Sequence, residues 1–227
     1  MASDTMTTQD LDQTNDAQAP DLGATLLHVA WLAVILGLVM EVLLLVLGGA
    51  VGEALGLKPF VADLVRNVTW SVFVCAGLAV GTTIVKARAP LMGVLGLISG
   101  PLAFEISRAF HKGALEALAI TGGGGSAVSP VLVAAVKGIE YGCLGLGVGW
   151  VSQRRWGGAA AHVAVGLLVG LTFGGVQLAL AAGATPPPPT SDLFVAGVNE
   201  VLFPVGCSLV LFSAGALSKK TASRSSR

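Results

Sequence analysis

Six long apolar stretches, separated by short polar, proline-containing or glycine-rich connections, dominate the pattern of this chain. They fall at Leu26–Leu47, Val68–Val85, Leu91–Phe110, Val131–Val151, Ala159–Ala182 and Leu193–Leu217. Each is close to the ~20 residues that an α-helix needs to cross about 30 Å of hydrocarbon. A helix satisfies its backbone N–H and C=O groups within its own segment, which lipid demands. The pattern therefore predicts an all-α, polytopic membrane protein with six transmembrane helices. Only the Lys86–Pro90 turn separates the second stretch from the third, so the two should form a tight hairpin. Residues 1–25 are polar and acidic (Asp4, Asp10, Asp12, Asp16, Asp21), with no Lys or Arg before the first apolar run. They read as a disordered tail and not as a signal peptide. The transmembrane domain then occupies 26–218, and a short basic tail follows at 219–227.

Composition supports this class. The chain is 54% hydrophobic and only 11% charged, against roughly 25% charged residues in soluble domains, and its mean hydropathy is +0.81. The formal net charge is zero and no basic patch stands out, so nothing points to a nucleic-acid partner. Cys75, Cys143 and Cys207 all fall in predicted spans without CxxC spacing, which supports neither a disulfide framework nor a zinc site. Small buried apolar residues are the expectation for all three. Lys86, Arg88, Arg154, Arg155, Lys219, Lys220, Arg224 and Arg227 gather on one side of the spans. Lys58, Arg66 and Lys112 lie on the other, with Arg108 near a helix end. The excess of cytoplasmic Lys and Arg then puts both termini in the cytoplasm. A multi-pass protein of a bacterial inner membrane is the expected setting.

Against this background four glutamates stand out: Glu41, Glu105, Glu140 and Glu200, each inside a long apolar stretch. A carboxylate in hydrocarbon costs a few kcal/mol or more, so it normally faces a bundle interior or a wet cavity. A shared polar site between helices is the simplest common explanation. With both termini inside, all four fall at or beyond the midplane on the outer side, which argues for a site opening outward. Glu105 and Arg108, like Lys137 and Glu140, are three residues apart and share a helical face. Two basic groups against four carboxylates leave an excess of two negative charges. Either some glutamates carry a proton, or a cation joins them. Tyr141 beside Glu140 and Asn199 beside Glu200 add hydrogen-bonding groups. Trp70, placed at the outer end of the second helix, is suited to stack on a flat or cationic ligand or to anchor at the interface.

The remaining features are structural expectations. Gly138, Gly142, Gly145 and Gly149 line one face of the fourth helix, and Ala33 and Gly37 make a shorter one on the first. Small faces let helix backbones approach closely in lipid. Internal packing is expected for them ahead of docking to a partner. A faint repeat pairs Met40-Glu41 with Ile139-Glu140, and Gly77/Gly81 with Gly166/Gly170, with Glu105 and Glu200 each in the third helix of its half. Three helices per half would make the halves inverted. The Gly48–Asn67 connection contains Pro59, Phe60 and mixed charges and has room for a short interfacial helix. His111–Ser129 holds Thr121 and the flexible Gly122–Gly125 run, which lacks the Walker Lys-Ser/Thr pair. Pro186–Pro189 forms a stiff spacer, and Asn67-Val68-Thr69 matches a glycosylation sequon that abuts a span. His28 and His162 lie near the cytoplasmic face and His111 near the outer one, without a haem-attachment motif. No GxSxG, HExxH or nucleophile–base pair appears, so an enzyme, a metal centre or a cofactor is not expected.

The stretch Val136-Lys137-Gly138-Ile139-Glu140 through Gly149, ending at Arg154-Arg155, resembles the substrate-binding S-components of energy-coupling-factor vitamin transporters. Six spans and cytoplasmic termini are also similar to that family. The resemblance implies a pocket in the outer half, capped by outer loops, and a small-residue face on the first helix (Ala33, Gly37) for a coupling membrane subunit. Separate ATPase subunits would supply the energy. The acidic tail, the Gly-rich loop and the scarcity of aromatic residues depart from the family and leave the solute open. The sequence reading is thus a membrane-embedded substrate-binding subunit of an uptake transporter. Its small solute, vitamin-like and cationic or amine-bearing, would meet Glu41, Glu105, Arg108, Lys137, Glu140, Tyr141, Asn199, Glu200 and Trp70. A self-sufficient ion- or proton-coupled transporter and an accessory subunit of a membrane complex are the alternatives.

Overall fold

The structure, a computed structural model, describes residues 22–52, 56–83, 88–120 and 128–225. Most of the acidic tail, part of the Lys86–Pro90 turn, and the Thr121 and Gly122–Gly125 positions lie outside these residues. The described residues form six long helices: α1 (Leu22–Ala50), α2 (Leu57–Val80), α3 (Arg88–Ala117), α4 (Pro130–Val151), α5 (Ala159–Ala182) and α6 (Thr190–Ser225). A single 3-10 turn, Gly81–Thr83, follows α2, and no strand occurs among the described residues. All six helices are long and apolar enough to cross a membrane.

Several of them overrun the predicted spans, α2, α3 and α6 by the most residues. The sequence expectation started the second helix at Val68, but α2 begins at Leu57. Pro59 sits in its first turn, where the missing N–H is one that no helix pairs anyway. Asp63 and Arg66 then pair along the helix at 3.1 Å, so the charges of the Gly48–Asn67 segment do not force a loop. The short interfacial helix expected there is the first part of α2. Likewise α3 continues past Phe110 to Ala117, carrying Lys112 and Glu116 one turn apart at 3.9 Å. In α6 the helix starts at Thr190, three residues before the expected Leu193, and runs on to Ser225.

Consecutive helices are antiparallel, as their cross-helix pairs show. Ser71 on α2 donates to the Ala33 carbonyl on α1 at 2.6 Å, and Asn67 meets Glu41. Gly77 faces Ser99, Gly81 faces Met92, Gly100 faces Lys137 and Gly149 faces Ala89. Gln177 on α5 reaches Glu140 on α4, and Gly166 and Gly174 on α5 face Val205 and Glu200 on α6. The ring closes where Gly206 of α6 meets Leu36 of α1, and α6 also touches α2 and α4. The result is an up-and-down bundle. With six crossings, the start of α1 and the end of α6 lie at the same end, and the three-helix halves run in opposite senses.

Large apolar side chains cover the outside, among them Trp31, Ile35, Val39 and Val46 on α1 and Leu168 and Leu171 on α5. Apolar exposure of this extent suits hydrocarbon and not water. The most enclosed helix is α4: half of its most apolar stretch is buried, against 22–39% for the other five. Its glycine face explains why. Gly138, Gly142, Gly145 and Gly149 all pack on α3, whose own Gly93, Gly96 and Gly100 receive α4 in return. A Cβ at Gly100 would stand 2.5 Å from the Lys137 carbonyl oxygen, so these backbones touch without side chains between them. The Ala33–Gly37 face of α1 is used the same way: a Cβ at Gly37 would lie 2.7 Å from Val68 Cα.

Candidate functional site

The helix crossing that buries α4 places Lys137 and Glu140 on the inner face of the bundle, one turn apart. Both are almost fully buried, Glu140 completely. The Lys137 ammonium lies 3.0 Å from Glu140 Oε2 and also pairs with Glu200 Oε2 from α6. Gln177 of α5 completes the arrangement by donating to Glu140 Oε2 and Glu200 Oε2, each at 3.0 Å. One ammonium, two carboxylates and one amide from three helices thus share one centre. Glu140 Oε1 is buried without a hydrogen-bond partner.

An aromatic floor supports the cation. The Lys137 ammonium sits 5.4 Å from the Trp70 ring centroid and 5.8 Å from that of Tyr141. Trp70 stands edge-on to Tyr141 at 5.4 Å and to Phe203 at 6.4 Å, joining α2, α4 and α6. Cation–π attraction is strongest where both partners are desolvated, as they are here. Trp70 is therefore a buried central residue and not an interfacial anchor. Because α2 starts at Leu57, the residue lies midway along its helix and not at its outer end.

A second polar cluster lies toward the end of the bundle opposite the start of α1 and the end of α6. Glu41 of α1, nearly buried, accepts a hydrogen bond from Asn67 Nδ2 of α2 at 2.5 Å. Asp63 pairs with Arg66 and, at 3.3 Å, with His111 Nε2 from α3. Beside them a cavity of about 170 Å3 is lined by Glu41, Asp63, Arg66, Pro59, Phe60 and Val195, among others. Sites for drug-sized ligands span about 300–1,000 Å3, so this one has the size for an ion or a solute of a few atoms.

Of the four glutamates the structure brings two together, Glu140 and Glu200. Glu41 belongs to the second cluster. Glu105 stands apart: it and Arg108 are more than half exposed on α3, 4.0 Å from one another. Asn199 neighbours Glu200 in sequence, but its Oδ1 is buried without a partner. The two amides, Asn67 and Gln177, are the site residues that sequence reasoning missed. Their signal was present, since each is a polar residue beside or within an apolar run, but charge drew attention away from them.

The histidines take separate roles. His162 is buried, bonded through Nδ1 to the Gly158 carbonyl at 2.9 Å and through Nε2 to Ser152 Oγ at 3.2 Å, with its ring on Phe212. His28 is exposed on α1. Cys75 and Cys207 are buried as expected, whereas Cys143 is exposed on the outward side of α4, because the glycine face turns the opposite side inward. No family model, no curated protein and no solved structure matches this chain.

Proposed function

We propose that this chain is a membrane transport protein for a small cationic or amine-bearing solute, with Glu140 as a carboxylate that exchanges a proton during the cycle. The observation that carries this reading is the charge of the buried centre. Lys137 against Glu140 and Glu200 leaves one net negative charge among three helices. Burying an uncompensated charge costs several kcal/mol, so the centre is stable in hydrocarbon once a proton or a cation neutralises it. Glu140 is the natural acceptor, because its Oε1 faces no donor. Loss and recovery of that proton changes what holds α4, α5 and α6 together, and so supplies a reason for the bundle to rearrange.

The cavity beside Glu41 and Asp63 is the entry station in this scheme. Its lining sets Glu41 and Asp63 against one cation, Arg66, its volume suits a solute of a few atoms, and it lies at the end opposite the start of α1. With the Lys and Arg distribution taken by the positive-inside rule, we put the termini in the cytoplasm, and the entry station is then external. The opposed halves of the bundle also favour a self-sufficient transporter, since inverted halves are a common basis of alternating access. A substrate-binding subunit served by a coupling subunit and ATPases is less well supported, because α2 already occupies the Ala33–Gly37 face that such a partner would need.

Reconstitution of the purified chain alone in liposomes tests the proposal. With an internal pH dye, an imposed gradient of a small amine or alkali cation should drive proton movement. Glu140→Gln should abolish it, and Glu105→Gln should leave it unchanged. Absence of movement by the chain alone, with uptake restored by co-purified ATPase subunits, would transfer the assignment to the subunit reading.

A further inference from the structure

Cys75 on α2 and Cys207 on α6 are both fully buried, and their sulfur atoms lie 3.5 Å apart. These helices are not neighbours in sequence; they meet across the bundle. The pair sits about one helical turn from the aromatic layer, since Cys75 follows Trp70 by five residues and Cys207 follows Phe203 by four. It is thus on the terminal side of the Lys137–Glu140 centre. A disulfide needs the sulfurs at about 2.05 Å, so an approach of roughly 1.5 Å would join them. Cys143, exposed on the outside of α4, is no part of the pair.

We infer that Cys75 and Cys207 form a reversible disulfide site that clamps α2 to α6 across the bundle. The oxidant class we assign is a peroxide, which is small and uncharged. The sulfur of one thiol attacks a peroxide oxygen, its proton passes to the leaving hydroxide, and water departs, giving a sulfenic acid. The second thiol then attacks that sulfur, the S–S bond forms, and a second water leaves. In sum, two thiols and one hydrogen peroxide give one disulfide and two waters. Dithiol reductants reverse the bond by thiol exchange. This inference stands on the two helices and their sulfurs and is independent of the transport reading.

The test is a thiol count on the intact protein in nanodiscs. Protein treated with hydrogen peroxide, then denatured and alkylated, is weighed by mass spectrometry. The expected result is loss of two of the three alkylation sites, with Cys143 still labelled, and return of both after dithiothreitol. Cys143→Ser should then lose all labelling on oxidation, stay monomeric on a non-reducing gel, and unfold at a higher temperature than its reduced form. The inference is overturned if all three thiols remain, if Cys143 is consumed with the others, if dithiothreitol fails to restore them, or if the bond forms without raising the unfolding temperature. Cys75→Ala and Cys207→Ala each remove one thiol from the pair. In one of the two, the remaining cysteine is the one peroxide attacks and should stop at a sulfenic acid that dimedone traps; in the other it should stay alkylatable, and loss of alkylation without trapping in both would overturn the assignment.

Discussion

The Lys137 ammonium answers two carboxylates and rests on two aromatic rings, so its removal probes the whole centre. Lys137→Met leaves Glu140 and Glu200 facing each other without a countercharge. Breaking a buried pair by removing one partner costs roughly 3–5 kcal/mol. The double variant Lys137→Met with Glu140→Gln removes one charge of each sign and should regain part of that loss, with Glu200 left as the one carboxylate without a countercharge. Thermal unfolding in detergent measures both. Flux separates stability from function, because the double variant should fold yet remain inactive; activity in it would remove the centre from the mechanism. Glu41 admits a finer test. Glu41→Gln keeps an acceptor for the Asn67 amide and should change stability little, while Glu41→Leu leaves that amide buried and unpaired at a cost of about 1–3 kcal/mol. If both variants unfold alike, the Glu41–Asn67 bond contributes nothing to the fold.

Between helices, the contact of α3 with α4 governs where the centre lies. Glycine on both sides lets the backbones meet, and that approach sets the rotation that turns Lys137 and Glu140 inward. Gly100→Ala would push its new methyl against the Lys137 carbonyl. Overpacking of this kind costs about 1–3 kcal/mol, and here it also displaces the ammonium, so flux should fall further than stability does. Gly175→Ala is the control: its Cβ would meet nothing within 4 Å on the outside of α5, and it should be neutral or slightly stabilising by helix propensity. Equal losses at the two positions would dismiss the packing argument. The two halves also use comparable contacts. Gly77 and Gly81 seat α2 on α3, as Gly166 and Gly170 seat α5 on α6. In each half a glutamate of the first helix meets an amide of the second, Glu41 with Asn67 and Glu140 with Gln177. The likeness ends at the third helix, where Glu200 enters the centre and Glu105 faces outward.

For the molecule as a whole, topology makes a direct prediction. Single cysteines in a Cys-free background at Gln153, between α4 and α5, and at Gly183, just after α5, lie at opposite ends of the bundle. A membrane-impermeant maleimide applied outside intact cells should label Gly183→Cys and leave Gln153→Cys unlabelled until the cells are opened. The reverse pattern would invert the orientation and make the Glu41 cavity face the cytoplasm.

How much of this was legible beforehand depends on the range of the forces involved. Apolar runs of about 20 residues fix the number of helices, because lipid leaves a backbone few other ways to satisfy itself. The three-residue spacing of Lys137 and Glu140 fixes their shared face, and the i, i+4, i+7, i+11 glycines mark the contact surface of α4. Those are properties of one helix and its neighbours in sequence. Helix ends were less legible: Asp63, Arg66, Lys112 and Glu116 resemble loop residues until their partners along the helix are seen. Which glutamates meet was not legible at all. That Glu200 joins Glu140, that Gln177 bridges them, that Glu105 turns away and that Trp70 lies beneath the cation all depend on how each helix rotates about its axis. Packing across the whole bundle sets that rotation, and only the tertiary structure decides it.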